Sequence, residues 1–172
     1  MCEGVRLTVD VDFYQYYIYG GADFDSASVD ALNDGILAPR GCGTRVNSGA
    51  HLGKVDVAIR VVDEPIALPT RLDAVASACN LEVPSGTVIV DHWGGPAAFR
   101  HDFGRPLICG LLVEVYGRDE ANAHNYQPER GPRERHDITI STVPFVFDRW
   151  RSRAIDQVGT SLASYFEHID RR

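Results

Sequence analysis

Apolar and polar residues alternate without interruption along the first strand-like segment of this chain. From Val5 to Phe13 every odd position is apolar and every even position is polar. Successive side chains of a β-strand point to opposite faces, so this period places one apolar face on a core and one polar face in solvent. The same period returns three more times along the chain. The pattern predicts a half-solvated antiparallel sheet.

Turn-forming residues separate the apolar segments from one another. Pro84-Ser85-Gly86 joins two strand-like runs, residues 75–83 and residues 87–93, and its Pro and Gly favour a hairpin. Residues 22–50 are rich in Asp, Ser, Asn and Gly and are expected to be irregular. Residues 117–135 are rich in charged residues and are also expected to form a loop. The number of strand-like runs indicates about six to eight strands in the sheet.

The C-terminal part of the chain changes from a period of two to spacings of three and four. This spacing predicts an amphipathic helix at about residues 149–170, with Asp148 as its N-cap. The whole chain, residues 1–172, is expected to form one domain. We predict a mainly β fold, an antiparallel β-sandwich of about six to eight strands with a C-terminal amphipathic helix, and a small β-barrel is the alternative. The apolar stripe of the helix consists of Ile155, Val158, Leu162, Phe166 and Ile169.

Charge and composition restrict the partners that this protein is expected to bind. The formal net charge is -7, which argues against nucleic acid because phosphate binding needs a basic surface. No apolar run approaches the roughly 20 residues that cross a bilayer, so no membrane partner is predicted. The N-terminus lacks the basic and apolar blocks of a secretory signal, which favours a cytoplasmic location. The four cysteines lack metal-binding spacing, and no cofactor is predicted.

The negative charge is concentrated in the N-terminal part of the chain. Residues 1–70 contain ten acidic and five basic side chains. Tyrosines accompany the acids, and tyrosine is enriched at the centres of protein interfaces. A solvated face and an aromatic core edge are the competing interpretations. The leading hypothesis is a non-catalytic, inhibitor-like module that binds a basic protein through Asp10, Asp12, Tyr16, Asp23 and Asp25.

A second hypothesis is a metal-dependent enzyme. Imidazole and carboxylate are ligands for transition metals, and the two pairs Asp91-His92 and His101-Asp102 could converge on one ion. In that case His92, His101 and Asp102 are the candidate catalytic residues. The spacing of the two histidines matches no metal motif, and an ordinary polar loop is the competing interpretation. Without this site, no catalytic or metal-binding residue is predicted.

Other sequence features add little support for catalysis. The triplet Arg135-His136-Asp137 precedes a strand, but an acid-base role for its histidine needs a partner within hydrogen-bond reach. Nucleophile-elbow, P-loop and dinucleotide-binding motifs are absent from the sequence. A third hypothesis is a structural module that forms homo-oligomers through the C-terminal helix.

Four segments together resemble a known type of protein. They are FYQYYIY near the N-terminus, the apolar strand at residues 55–61, LEVPSGTVIV and ITISTVPFVF. Their order resembles small actinobacterial β-sandwich proteins of unknown function and, more distantly, nuclease inhibitors of the competence protein J type. The resemblance covers most of the chain and rests on pattern rather than on invariant motifs. It implies a binding or inhibitory protein without catalysis, and it assigns no site residue.

Overall fold

The described part of the chain is mainly β. The computed structural model describes residues 4–21, 35–67, 75–92, 96–123, 134–146 and 151–152, and in these it contains eleven strands and one short helix. The elements are β1 (Val5–Asp12), β2 (Gln15–Tyr19), β3 (Leu37–Arg40), β4 (Gly43–Asn47), β5 (Leu52–Val62), β6 (Val75–Val83), β7 (Thr87–Asp91), β8 (Phe99–Asp102), β9 (Leu107–Tyr116), α1 (Arg118–Ala123), β10 (Arg135–Ser141) and β11 (Arg151–Ser152).

The strands belong to one nearly closed, barrel-like sheet. Its order is β11-β6-β9-β10-β5-β1-β2-β4-β3, and β7 adds to β2 and carries β8. β3 and β4 also lie against β6, so the two ends of the sheet approach each other. The two separate sheets of the predicted sandwich are therefore not confirmed, and the barrel alternative is partly supported. The sheet is also not wholly antiparallel, because β5 and β10 pair in parallel.

The core lies inside the curved sheet and follows the predicted alternation. Val9 of β1 pairs with Val55 of β5, and both side chains are fully buried. Val57 and Ile59 continue the inner face of β5 and are almost completely buried. Cys79 and Cys109 are buried free thiols, and burial raises the pKa of Cys109 to about 12. The two-residue period thus identified the inner face correctly.

The predicted hairpin at Pro84-Ser85-Gly86 is wrong. The chain does turn there, but β6 pairs with β9 and β11, whereas β7 pairs with β2 and β8. The Ser85 hydroxyl donates a hydrogen bond to the carbonyl oxygen of Gly20 at 2.6 Å, and the Ser85 N–H donates to the same oxygen. These bonds tie the turn to the end of β2 and direct β7 along β2 instead of β6.

Three short strands lie where the sequence predicts loops. β3 and β4 form a hairpin within the segment expected to be irregular, and β8 contains His101 and Asp102. Pro39 is tolerated in β3 because β3 is the last strand of the sheet order, where a missing N–H costs no ladder bond. The predicted charged loop at residues 117–135 begins with α1. Residues 22–34 of the segment expected to be irregular lie outside the described residues.

The C-terminal helix receives no support from the described residues. Residues 151 and 152 form β11, which pairs with β6, so a helix does not include them. The remainder of the predicted helix lies outside the described residues. Within the parts of the chain that the structure describes, no helix is long and apolar enough to cross a membrane.

Candidate functional site

Three polar side chains form a hydrogen-bonded chain inside the barrel, which we call the buried triad: Tyr16, His136 and Glu134. The Tyr16 hydroxyl lies 2.7 Å from Nδ1 of His136. Nε2 of the same ring lies 2.7 Å from Oε1 of Glu134. Each of the three residues is at most 1% exposed. The triad therefore joins β2 to the start of β10 without contact with solvent.

One assignment of protons, with Glu134 only accepting, satisfies all hydrogen bonds of the buried triad. Oε2 of Glu134 accepts the N–H of Gly49 at 2.7 Å, so the carboxylate accepts through both oxygens. His136 then donates from Nε2 to Oε1 and accepts the Tyr16 hydroxyl proton at Nδ1. In this arrangement every polar atom is satisfied, which a buried group requires to avoid a large desolvation cost.

The segment around Gly49 is packed tightly against the start of α1. A Cβ added to Gly49 would lie 2.0 Å from the carbonyl oxygen of Arg118. The Arg118 side chain is itself buried, and it donates from Nη1 to the carbonyl oxygen of Gly35 at 2.8 Å. The buried triad thus sits beside a second buried charged group, and a glycine makes this close approach possible.

The buried triad is suited to holding strands together and not to catalysis. An acid-base group must come within about 3 Å of a substrate proton, and the side chains of Glu134 and His136 have no exposed surface. The triad places a hydroxyl, an imidazole and a carboxylate in the same order as some catalytic sites do. The likeness is limited to this order. Its function in this fold is to connect β2, β10 and the segment before β5.

Burial of Tyr16 gives the protein an expected sensitivity to alkali. Burial raises the pKa of Tyr16 well above its ordinary value of 10.0, and the charge of Glu134 raises it further. Unfolded chains lose this proton near pH 10 while the folded protein keeps it, so stability that is present below pH 10 decreases as the pH rises above it. We expect Tyr16→Phe to remove this part of the pH dependence. Urea unfolding between about pH 8 and pH 11 measures it.

Tyr14→Phe is the matched control, because Tyr14 lies partly exposed between β1 and β2. This control variant should lose stability with pH as steeply as the wild type. If the free energy of unfolding decreased equally steeply with pH in the wild type and in Tyr16→Phe, Tyr16 would not be the cause of the pH dependence.

A polar surface covers the outside of the sheet where β1, β5, β10 and β9 lie side by side, and we call it the outer face. An open groove of about 470 Å³ crosses it, and a second one of about 350 Å³ lies beside it. Arginines from three strands line the first groove, together with carboxylates and an aromatic ring. The lining side chains that carry charge or a ring are Arg6, Arg60, Glu114, Tyr116, Arg135 and Asp137.

Two arginines of the groove have hydrogen-bond partners within it. Arg135 donates from Nε to Asp137 at 2.8 Å, and its guanidinium lies 5.0 Å above the ring of Tyr116. Arg60 donates from Nε to the hydroxyl of Thr139 at 2.7 Å. The Arg135–Asp137 pair is exposed to solvent, so it contributes little to stability. These contacts leave a patterned, charged surface that a partner protein can contact.

The predicted partner-binding residues are divided between this outer face, the core and the segments that are not described. Asp10 is exposed on the outer face and lies opposite Lys54, while Asp12 is partly exposed at the end of β1. The prediction that Tyr16 contacts a partner is corrected, because its side chain is fully buried. Asp23 and Asp25 lie outside the described residues.

The structure does not bring together the two pairs of the metal hypothesis. His101 of β8 pairs with Val88, three residues before Asp91, which separates the pairs by roughly 10 Å along β7. The His101 ring lies between aromatic rings, 6.5 Å from Phe99 and 4.6 Å from Phe103.

Within each pair of the metal hypothesis, the side chains have contacts that do not involve the other pair. Asp102 is exposed and accepts the N–H of Gly104 at 2.8 Å, and as a strand neighbour of His101 it points to the other face. His92 lies beside Asp91, with 3.9 Å between Nδ1 and Oδ1. Among the described residues no group of three or more possible metal ligands is present.

The sequence contained a signal for one member of the buried triad. His136 has the same strand parity as Ile138 and Ile140, which the pattern places on the inner face, and all three are buried. The Arg135-His136-Asp137 triplet is therefore split, with its two charged ends outside and its imidazole inside. Neither Glu134 nor Gly49 carries a comparable signal, because both lie outside the strands.

Comparisons with known proteins concern the fold. No protein-family model and no curated protein matches the sequence. Among solved structures, the chain is similar to ComJ, inhibitor of the DNA degrading activity of NucA, from Bacillus subtilis. The TM-score is 0.57 and the identity is 9%, over 83% of this chain and 99% of that chain. It is also similar to the crocagin biosynthetic gene J protein, with a TM-score of 0.41 and 15% identity over 87% and 99% of the two chains.

The similarity to ComJ shows that the two chains share a fold. It supports the distant structural resemblance to nuclease inhibitors of the competence protein J type that the sequence pattern indicated. The resemblance to actinobacterial proteins stays a prediction.

Proposed function

We propose that this protein is a non-catalytic inhibitor that binds a basic protein, a nuclease, through its outer face. The observation that carries the proposal is a sheet face that bears Asp10 and Asp12 on its solvent side, on a fold shared with ComJ, which inhibits the DNA degrading activity of NucA. A binding protein needs a rigid surface more than a cleft. The outer face is carried by four adjacent strands of the sheet, which hold its side chains in fixed positions.

The acidic end of the outer face is the part proposed to meet the basic partner. Asp10 and Asp12 follow each other on the outer side of β1, and their charges agree with the net charge of -7. Opposite potentials on two partners accelerate their encounter and select against wrong partners. The location of the partner's cationic groups at this end is part of the proposal, and so is the identity of the partner as a nuclease.

The first experiment measures DNA degradation in the presence of the purified protein. The nucleases are NucA and the DNA-degrading activity in an extract of the cells that produce this protein. We expect micromolar protein to reduce the rate of degradation by at least one of them. Undiminished degradation by both at saturating protein would contradict the inhibitor function.

Charge reversal tests the acidic end. The double variant Asp10→Lys/Asp12→Lys should raise the concentration needed for half-inhibition at least tenfold, and the difference should shrink at high salt because salt screens exposed charges. The same DNA degradation assay, repeated at low and high salt, measures the effect.

The control variant Glu64→Lys/Glu82→Lys changes the net charge by the same amount at exposed positions. Glu82 lies on β6, four strands from β1 along the sheet order. Half-inhibition for this control should stay within about twofold of the wild type. An equal loss in both double variants would mean that net charge alone, and not the acidic end, attracts the partner.

A further inference from the structure

The turn between β1 and β2 has a backbone conformation that its residues do not favour. Phe13 and Tyr14 have φ angles of 51° and 65°, and in the described residues they are the only non-glycine positions with positive φ. A two-residue turn with positive φ at both positions selects Asn and Gly, because a bulky side chain clashes with the backbone there. Two aromatic residues in these positions make the turn strained.

Contacts with the segment before β5 hold this strained turn in place. The N–H of Tyr14 donates to the carbonyl oxygen of His51 at 3.1 Å, and the N–H of Ser48 donates to the carbonyl oxygen of Tyr14 at 2.7 Å. The His51 ring contacts both aromatic rings, with centroids 5.5 Å from Phe13 and 4.7 Å from Tyr14. Strain of this kind persists where the surrounding structure fixes the backbone, and it is concentrated at sites of function.

The side chain of Phe13 gains little from this position. It is 61% exposed, and Leu52, beside the turn at the start of β5, is 39% exposed. Isolated apolar side chains on a surface are common and need no explanation. Here, however, Asn would tolerate the positive φ angle better than Phe does, and its polar side chain would be better solvated. Phe13 therefore weakens the folded state without contributing to the core.

Charged residues next to this turn indicate the chemistry of what it contacts. Asp12 directly precedes Phe13 and lies opposite Leu52, while Asp10 lies opposite Lys54. An aromatic side chain next to Asp12, with Asp10 further along the same side of β1, fits an apolar pocket with a cationic rim. An anionic lipid surface fits less well, because the same carboxylates are repelled by it.

We propose that Phe13 is the anchor of the interface and enters an apolar, cation-rimmed pocket on the protein partner. Tyr14, His51 and Leu52 form the surface around the anchor. This inference rests on the proposed function, and it adds the residue that provides most of the affinity and the kind of pocket that receives it.

The test replaces Phe13 with a residue that the turn favours. Phe13→Asn should raise the midpoint of thermal unfolding by about 2–4 °C, because Asn tolerates the left-handed backbone. It should also raise the concentration for half-inhibition of DNA degradation, by NucA or by the cell extract, at least tenfold. Phe13→Tyr keeps a ring and should retain inhibition within about threefold of the wild type.

The matched control is Ile108→Asn, which removes another half-exposed apolar side chain, on β9. It should leave half-inhibition within about twofold of the wild type. A more stable Phe13→Asn protein that inhibits normally would overturn the anchor and leave the proposed function intact, whereas a wild type without inhibition would remove the proposed function first. An unchanged or lower midpoint would overturn the strain argument.

Vesicles provide the remaining arm of the experiment. The wild type and Phe13→Asn are mixed with phosphatidylcholine vesicles and with vesicles that contain phosphatidylserine, and sedimentation measures binding. We expect no binding to either. Binding by the wild type that Phe13→Asn abolishes would assign the exposed ring to a membrane and overturn the protein pocket.

Discussion

Glu134→Ala is expected to lower the free energy of unfolding by about 2–6 kcal/mol, because it leaves two buried donors without an acceptor and each costs about 1–3 kcal/mol. The substitution leaves Nε2 of His136 and the N–H of Gly49 without an acceptor in a region that water does not reach. Unpaired buried donors cost their full desolvation energy. Urea unfolding followed by circular dichroism measures the loss, and a chain that no longer folds would agree with the upper end of this range.

Glu82→Ala is the control for this prediction. Glu82 is exposed on β6, so its removal should change the free energy of unfolding by less than about 0.5 kcal/mol. A Glu134→Ala protein as stable as the Glu82→Ala protein would show that the buried triad does not hold the strands together.

Gly49→Ala is expected to destabilise the protein by at least about 3 kcal/mol, which is the severe end of overpacking. The new Cβ would lie 2.0 Å from the carbonyl oxygen of Arg118, a backbone atom that cannot rotate away. The effect is a collision and not a conformational preference, since Gly49 does not have a positive φ. Relief of the collision would move α1 away from Gly49 and disturb the adjacent buried groups.

Gly4→Ala is a suitable comparison for Gly49→Ala. A Cβ at Gly4 would lie 3.3 Å from the carbonyl oxygen of Ile59, near the end of the sheet, where a small adjustment of the chain suffices. Thermal unfolding should show little change for Gly4→Ala and a large decrease in midpoint, or no folded protein, for Gly49→Ala. Similar midpoints for the two variants would contradict the close approach at Arg118.

The period of two predicted the inner face of the sheet because burial and strand geometry are local properties. Val55, Val57 and Ile59 show this directly, since each alternates with a solvent-facing neighbour and each is buried. The same logic extends to His136 through its parity with Ile138. Residues that obey one simple period thus provided most of the core.

Strand pairing could not be predicted in the same way, because it depends on contacts between distant segments. The Pro84-Ser85-Gly86 turn favours a hairpin locally, yet Ser85 bonds to Gly20 and sends β7 to β2. The parallel pairing of β5 with β10 likewise has no local sequence signal. Short strands such as β3 and β8 were missed because a few residues with Pro or charged neighbours give no clear period.

The candidate site was predicted only in part for the same reason. Asp10 and Asp12 follow from the parity of β1, which sends them to the surface. Tyr16 has the buried parity, and its hydroxyl is satisfied by His136, 120 residues away in the chain. The outer face collects its charged groups from four strands, so its composition depends on the sheet order. No pattern within a single segment reveals that order.

The stoichiometry of inhibition tests the central claim most directly. DNA degradation by a fixed amount of purified nuclease, either NucA or the one inhibited in the cell extract, is measured while this protein is added. A non-catalytic inhibitor that forms a tight complex should reduce the rate linearly and reach its full effect at about one equivalent. Complete inactivation by far less than one equivalent, or no inhibition at many equivalents, would contradict the claim.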